Sequence, residues 1–266
     1  MQSVYANWGY LAAAVFFIAG LKGLTHPRTA ARGNLLGSVG MLVAVITALI
    51  FAVNLNWILI LAGLLIGSAV GAVLAFKIQM TAMPQLVGLY NGFGGGASFL
   101  VAAVAMTAGA SAIDYQTPEL QQTIAAALSA VIGMVTLLGS VVAFAKLQGI
   151  MRRPIRFAGQ QALNGILLAV MFVLAVFVVR QPETMSWFWI LAVVAACFGF
   201  LLVAPIGGAD MPVVIAALNS YSGLAACATG FVLSNNVLII SGSLVGASGM
   251  ILTRIMCRAM NRSFRN

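Results

Sequence analysis

Residues 91–98, NGFGGGAS, put Gly92, Gly94 and Ala97 on the G-x-G-x-x-G/A spacing of a dinucleotide-binding turn, and Asp114 lies about 20 residues on, where such a turn wants an acid for the ribose. The turn works only after a β-strand and inside a βαβ unit, with the pyrophosphate seated on a helix N-terminus. Here the motif lies inside an apolar run, about 83–108, with neither feature around it. Gly88, Gly92 and Gly96 fall instead on one helix face, four residues apart. Such small-xxx-small ladders let helix backbones approach closely in lipid. Gly63, Gly67 and Gly71 repeat the spacing, as do Gly242 and Gly246. The glycines, Gly95 and Gly223 included, are therefore read as helix-packing positions, and no nucleotide is expected on this chain.

A second pattern carries more chemistry. Shifted by 128 residues, MPQLVGLYNGFGGGAS from Met83 aligns with MPVVIAALNSYSGLAA from Met211. Asn91 falls on Asn219, Phe93 on Tyr221, Gly94 on Ser222, Gly95 on Gly223 and Ala97 on Ala225. Proline just inside each start suits a first helical turn. Both copies start from the same side of the membrane, so the repeat is parallel, and internal repeats are common in transport proteins. Each asparagine stands eight residues into its segment, about 12 Å deep at 1.5 Å per residue, near mid-bilayer. An amide there is costly unless paired. Asn91, Gly95 and Ser98 share one face, and Asn219, Ser222 and Gly223 share another. Two readings stand: polar stripes lining a hydrated path, or hydrogen-bonding glue between helices.

The elements that must position these residues are membrane spans. The 266 residues are 62% hydrophobic and only 6% charged, against roughly 25% charged in a soluble domain. Apolar runs at about 4–21, 35–53, 56–76, 83–108, 124–145, 162–179, 186–204, 211–233 and 236–253 predict an all-α bundle of nine transmembrane helices. The loops sort by charge. One side receives Lys22, Arg28, Arg32, Lys77, Lys146, Arg152, Arg153, Arg156, Arg254, Arg258, Arg262 and Arg265, which is all but one of the 13 Lys+Arg. The other receives Arg180 with Asp114, Glu119 and Glu183. The positive-inside rule makes the first side cytoplasmic, with the N-terminus outside and the C-terminus inside. Residues 1–8 carry no basic n-region, so the first run reads as a retained span. The net charge of +9 is explained by orientation, and nucleic acid is not an expected partner.

Asp210 is the one acid on the basic side, in GGADMP just before the eighth span, where a carboxylate suits a helix N-terminus. On a rim so basic it is expected to have a specific partner, and Arg262 is the candidate. His26 reads as a solvated loop residue beside Pro27. Cys197, Cys227 and Cys257 lie in apolar runs without CxxC spacing and read as buried, reduced packing residues. No residue other than tyrosine or cysteine titrates at mid-membrane depth, so a proton path within this chain lacks an obvious titrating group near neutral pH.

Residues 205–263, with GGADMPVV, LNSYSG and IMCRAMNRS, resemble the end of the membrane domain in the β subunit of proton-translocating NAD(P)+ transhydrogenase. The segment 83–98 and LGSVVAFAKLQG at 138–149 resemble the same family, and the likeness covers essentially the whole chain. It implies an enzyme complex that passes hydride from NADH to NADP+ while protons move inward across a bacterial inner membrane. Residues 1–266 would be a single proton-translocating membrane domain, with an NADP(H)-binding domain expected after about residue 266. NAD(H) and NADP(H) would be bound by partner domains and no cofactor by this chain. The α subunit would contribute its NAD(H) domain and its own spans, in a dimer of the α/β unit.

By position, the resemblance gives Asn219 a place in the proton path, and gives Asp210 and Arg262 a role in coupling to the NADP(H) domain. Asn91 stands where some members carry a histidine thought to bind the translocated proton, and asparagine takes up none at physiological pH. The titrating group then comes from the α subunit, the preferred reading, or bound water alone relays the proton. The expected mechanism is a gated, water-filled path between spans four and eight, walled by spans three, five and nine, with Asn91, Ser98, Asn219 and Ser222 holding water. The alternatives are a stand-alone secondary transporter built on a parallel four-helix repeat, and a structural membrane subunit whose asparagines only glue helices.

Overall fold

A computed structural model describes residues 2–51, 56–111 and 120–261. Among them the chain is all helical, with nine helices long and apolar enough to cross a membrane. These are α1 (Gln2–Leu24), α2 (Pro27–Phe51), α3 (Trp57–Lys77), α4 (Met83–Ser111), α5 (Leu120–Leu147), α6 (Gln160–Arg180), α7 (Met185–Val203), α8 (Met211–Val232) and α9 (Asn236–Ala259). The expected spans are all present. Their ends differ most at α2, which starts at Pro27 and so carries Arg28 and Arg32 in its first two turns. Hydropathy marks the apolar stretch of a helix, whereas proline at the first turn marks where the backbone begins to coil.

The chain forms two compact units, residues 1–83 and 84–266. In the first, α1 and α2 make a hairpin closed by glycine. A Cβ placed on Gly23 would stand 2.7 Å from the Gly33 Cα, and one on Gly33 would stand 2.7 Å from the Gly20 carbonyl oxygen. The α3 ladder is different: nothing in this unit comes within 4 Å of a Cβ placed on Gly63, Gly67 or Gly71, and no α3 residue is buried.

In the second unit α5 is the central post, packed on α6, α7 and α8, while α8 also packs along α9. One apolar cluster joins Phe99 of α4, Ala126 and Ala130 of α5, Val178 of α6, and Phe188 and Leu191 of α7, with Phe99 and Phe188 stacked at 5.8 Å. A second cluster gathers Val142, Val203, Met211, Ile215 and Leu218 where α5, α7 and α8 meet. Lipid tails are as apolar as these side chains, so the clusters hold by close packing more than by exclusion of water.

The sequence repeat has a counterpart in the elements. A single 3₁₀ turn, Met80–Ala82, leads into α4, and another, Gly208–Asp210, leads into α8. The starts of α7, of its following 3₁₀ turn and of α8 each fall 128 residues after the starts of α3, its turn and α4. The likeness therefore extends to a helix–turn–helix unit. It ends where α8 turns tightly into α9 through Leu233–Asn235, with Ser234 at φ 51°, whereas α4 runs on to Ser111.

Of the cysteines, Cys257 is buried, Cys227 is half-buried with its sulfur 3.2 Å from the Ser243 hydroxyl, and Cys197 is exposed on α7. The expectation that all three are buried fails at Cys197, because α7 turns that face away from the core and an apolar thiol is at home against lipid.

Candidate functional site: a polar seam between α4, α5 and α8

Met83 and Met211 start helices that run from the same end of the second unit, so the two asparagines reach similar depth. Asn91 is buried, and its Nδ2 donates to the Ile215 carbonyl at 3.2 Å. In an α-helix that carbonyl also accepts the N–H of the residue four positions on, here Asn219. The first asparagine is thus fastened to the backbone just below the second. Asn219 itself is half-buried, and its side chain makes no hydrogen bond among the described residues. An amide at this depth, partly open and without a protein partner, is a place for water or for a partner's side chain.

One turn further, Gly94 faces Ser222, whose Oγ would lie 2.6 Å from a Cβ on that glycine. Gly94 leaves the space that the Ser222 hydroxyl occupies. Farther still, the seam closes. Ser129 of α5 donates to the Ser98 carbonyl at 3.0 Å and accepts from the Thr229 hydroxyl of α8 at 2.8 Å, the Ala225 carbonyl at 2.9 Å being the alternative acceptor for the single Thr229 proton. Ser98 therefore enters this junction through its backbone oxygen. All three residues are buried, and the junction is hydrogen-bonded across three helices.

The glycines divide by what they touch. A Cβ on Gly95 would stand 2.7 Å from the Gly133 carbonyl oxygen of α5, and one on Gly223 would stand 2.5 Å from the Gly246 nitrogen of α9. A Cβ on Gly92 would meet the Ser140 Cβ at 3.0 Å, and one on Gly246 the Leu224 side chain at 3.0 Å. Gly88 and Gly96 are looser, with nearest neighbours 3.8 Å and 3.5 Å from a placed Cβ.

Sequence reasoning overlooked the α5 side of this seam. Ser129, Gly133, Thr136 and Ser140 recur at i, i+4, i+7 and i+11, one stripe of small and hydroxyl residues. Ser140 is fully buried and its Oγ has no hydrogen-bond partner among the described residues. The stripe was there to be read; hydropathy alone masks serine and threonine in an apolar helix.

At the basic end of the same unit, side chains clasp the segment that leads into α8. Buried Lys146, at the end of α5, donates through Nζ to the carbonyls of Val203, Ala204 and Ile206. A cation suits these orphan carbonyls at the C-terminus of α7. The Arg156 Nε donates to the Pro205 carbonyl at 3.0 Å, the Ile155 N–H to Ala204 at 3.0 Å, and the Gln160 amide to Leu201 at 3.2 Å. Gln85 of α4 donates to the Leu147 carbonyl at 3.1 Å. Asp210 holds the N-cap position of α8, yet its side chain makes no capping hydrogen bond. Arg262, its expected partner, lies outside the described residues, as do Asp114, Glu119 and Arg265.

Residues 6–266 match the family model described as NAD(P) transhydrogenase beta subunit. Two curated relatives, both NAD(P) transhydrogenase subunit beta and from Rhodospirillum rubrum and a designated strain of it, are 42% identical over 265 residues. The match takes in 97% of this chain but 56% of each relative, so the chain spans a little over half their length. The chain belongs to the NAD(P) transhydrogenase beta subunit family.

Proposed function

We propose that the chain is the proton-conducting membrane domain of a proton-translocating NAD(P)+ transhydrogenase, lying in a bacterial inner membrane with its basic end in the cytoplasm. The observation that carries the reading is Asn219, whose side-chain amide near mid-membrane has no hydrogen-bond partner among the described residues, beside an Asn91 already fastened to α8. Water entering from the basic end reaches Asn219 and Ser222, while the Ser129–Thr229–Ser98 junction closes the seam beyond them. Opening that junction completes the path. Neither asparagine titrates, so a histidine on a span of the α subunit supplies the group that takes the proton.

Hydride transfer from NADH to NADP+ occurs on soluble domains that bind NAD(H) and NADP(H), in an assembly containing two α/β units. Protonation at the seam biases the α8 entry, and Asp210 with Arg262 passes that bias to the NADP(H) domain. Each ligand then acts by its different affinity for two states. The test joins this chain, with an NADP(H) domain, to an α partner in vesicles containing a pH-sensitive dye. NADPH plus an oxidised NAD analogue is expected to drive proton movement that an uncoupler abolishes. Hydride transfer without any proton signal refutes the conducting seam, and a folded complex with no nucleotide response refutes the transhydrogenase assignment.

A further inference from the structure

Between α5 and α6 runs a groove of about 470 Å³. Leu128 and Val131 of α5 line one side, Leu168, Phe172 and Val176 of α6 the other, and the lining is apolar almost throughout until it ends at Arg180. From Leu168 to Arg180 is about 18 Å along the helix. The hydrocarbon of one leaflet is about 15 Å deep. The groove thus runs from the end of a spanning helix to about mid-membrane and stops there. That is the depth of one acyl chain and half that of a spanning segment. The width points the same way. Spread over 18 Å, the volume gives a section of about 26 Å², roughly 5 Å across. A polymethylene chain, whose carbons keep about 4 Å from their neighbours, fits that section, whereas a helix with its side chains is about 10–12 Å across.

Arg180 supplies a charge at the mouth. It is the last residue of α6, it is exposed, and its side chain makes no hydrogen bond or ion pair among the described residues. Because the lining is apolar, Arg180 contributes its aliphatic stem to the groove and keeps the guanidinium outside it. It is also the one basic residue that the charge sorting leaves at this end. Trp187 of α7 marks the depth. Its indole N–H donates to the Gln181 Oε1 at 3.1 Å, and its ring stacks on Phe177 at 5.0 Å. Tryptophan gathers at the membrane–water boundary, at the level of the headgroups. Arg180, next to Gln181 in the chain, therefore stands at phosphate depth.

We propose that the groove holds a phospholipid of the leaflet at this end, with one acyl chain between α5 and α6 and its phosphate on Arg180. A phosphate diester presents two oxygens that the planar guanidinium fork matches. Such a pair is stronger at the edge of the hydrocarbon than in open water, because the dielectric is lower there. No acid is among the lining residues, so nothing in the groove competes for the guanidinium. Glu183, three residues on, makes no ion pair among the described residues. The inference concerns the membrane part and holds whatever the seam conducts.

The experiment uses the full α/β complex, delipidated and titrated with phosphatidylglycerol or with a diacylglycerol of the same chains, while native mass spectrometry counts bound lipid. The wild type is expected to retain phosphatidylglycerol at least about tenfold better, and Arg180→Gln to erase that preference by weakening phosphatidylglycerol alone. Ala175→Leu, at a residue that lines the groove, fills it and should weaken both lipids. Arg180 is exposed, so its variant folds even if the other does not. Equal retention of the two lipids by the wild type overturns the proposal. So does undiminished phosphatidylglycerol binding in Arg180→Gln, the result expected if Asp114 or Glu119 holds the guanidinium. Undiminished binding in Ala175→Leu, the result expected of a bare anion site, overturns it too. Loss of the α subunit from the Ala175→Leu complex, with the lipid count unchanged, makes the groove the seat of a spanning helix and overturns it equally.

Discussion

Asn91 and Asn219 look alike in the sequence and differ in the structure by one hydrogen bond. That difference separates conduction from stability. Asn219→Leu removes no protein hydrogen bond, so thermal unfolding in detergent should shift by no more than about 0.5 kcal/mol, while nucleotide-driven proton movement in vesicles is lost. Asn91→Leu strands the extra acceptor capacity of Ile215 and should cost about 1 kcal/mol in the same unfolding assay. A large stability loss from Asn219→Leu with conduction intact would make that residue glue. The glycines give a second pair. Gly95→Ala drives a methyl onto the Gly133 backbone oxygen and should destabilise the bundle by about 1–3 kcal/mol, whereas Gly96→Ala meets only the movable end of Leu137 and should be close to neutral. The sequence ladder alone ranks the two alike, because spacing gives the face of a helix and not the distance to its neighbour.

Among the elements, the clasp on the end of α7 has the clearest consequence. Lys146→Met keeps the apolar stem and takes one donor from each of three carbonyls, leaving Val203 and Ala204 a backbone N–H each and Ile206 without its Lys146 bond, which should lower stability by about 2 kcal/mol and speed proteolysis of residues 203–210 in permeabilised membranes. Lys146→Arg supplies donors in a planar fork too wide for one point among three carbonyls, and should rescue only in part. The helices were legible because length and apolar content are properties of a segment, and Pro84 and Pro212 marked the entry of α4 and α8. The clasp was not legible. Lys146 reads as one loop charge among many, and its acceptors are backbone atoms about 60 residues away, which no side-chain pattern announces. The Asp210 position at the α8 entry was legible, but the absence of a capping bond there depends on side-chain direction, which the sequence does not carry.

For the whole molecule, the charge sorting makes a topological statement that labelling can check. In a cysteine-free background, a cysteine at Arg152 should react with an impermeant maleimide only after cells are permeabilised, and one at Glu183 in intact cells. The reverse pattern would invert the orientation and the direction of proton movement with it. The seam between α8 and α9 carries the last consequence. Gly223, Gly230, Gly242 and Gly249 each bring backbone against backbone, and only Leu233–Asn235 separate the two helices in sequence. Two rods welded along their length act as a single lever. A tilt begun at Asp210 must reappear at Ala259 as a swing of the same sign, since the seam has no slack in which to lose it. Whatever is attached beyond α9 would register the state of Asn219 mechanically, without a side chain of its own near the path.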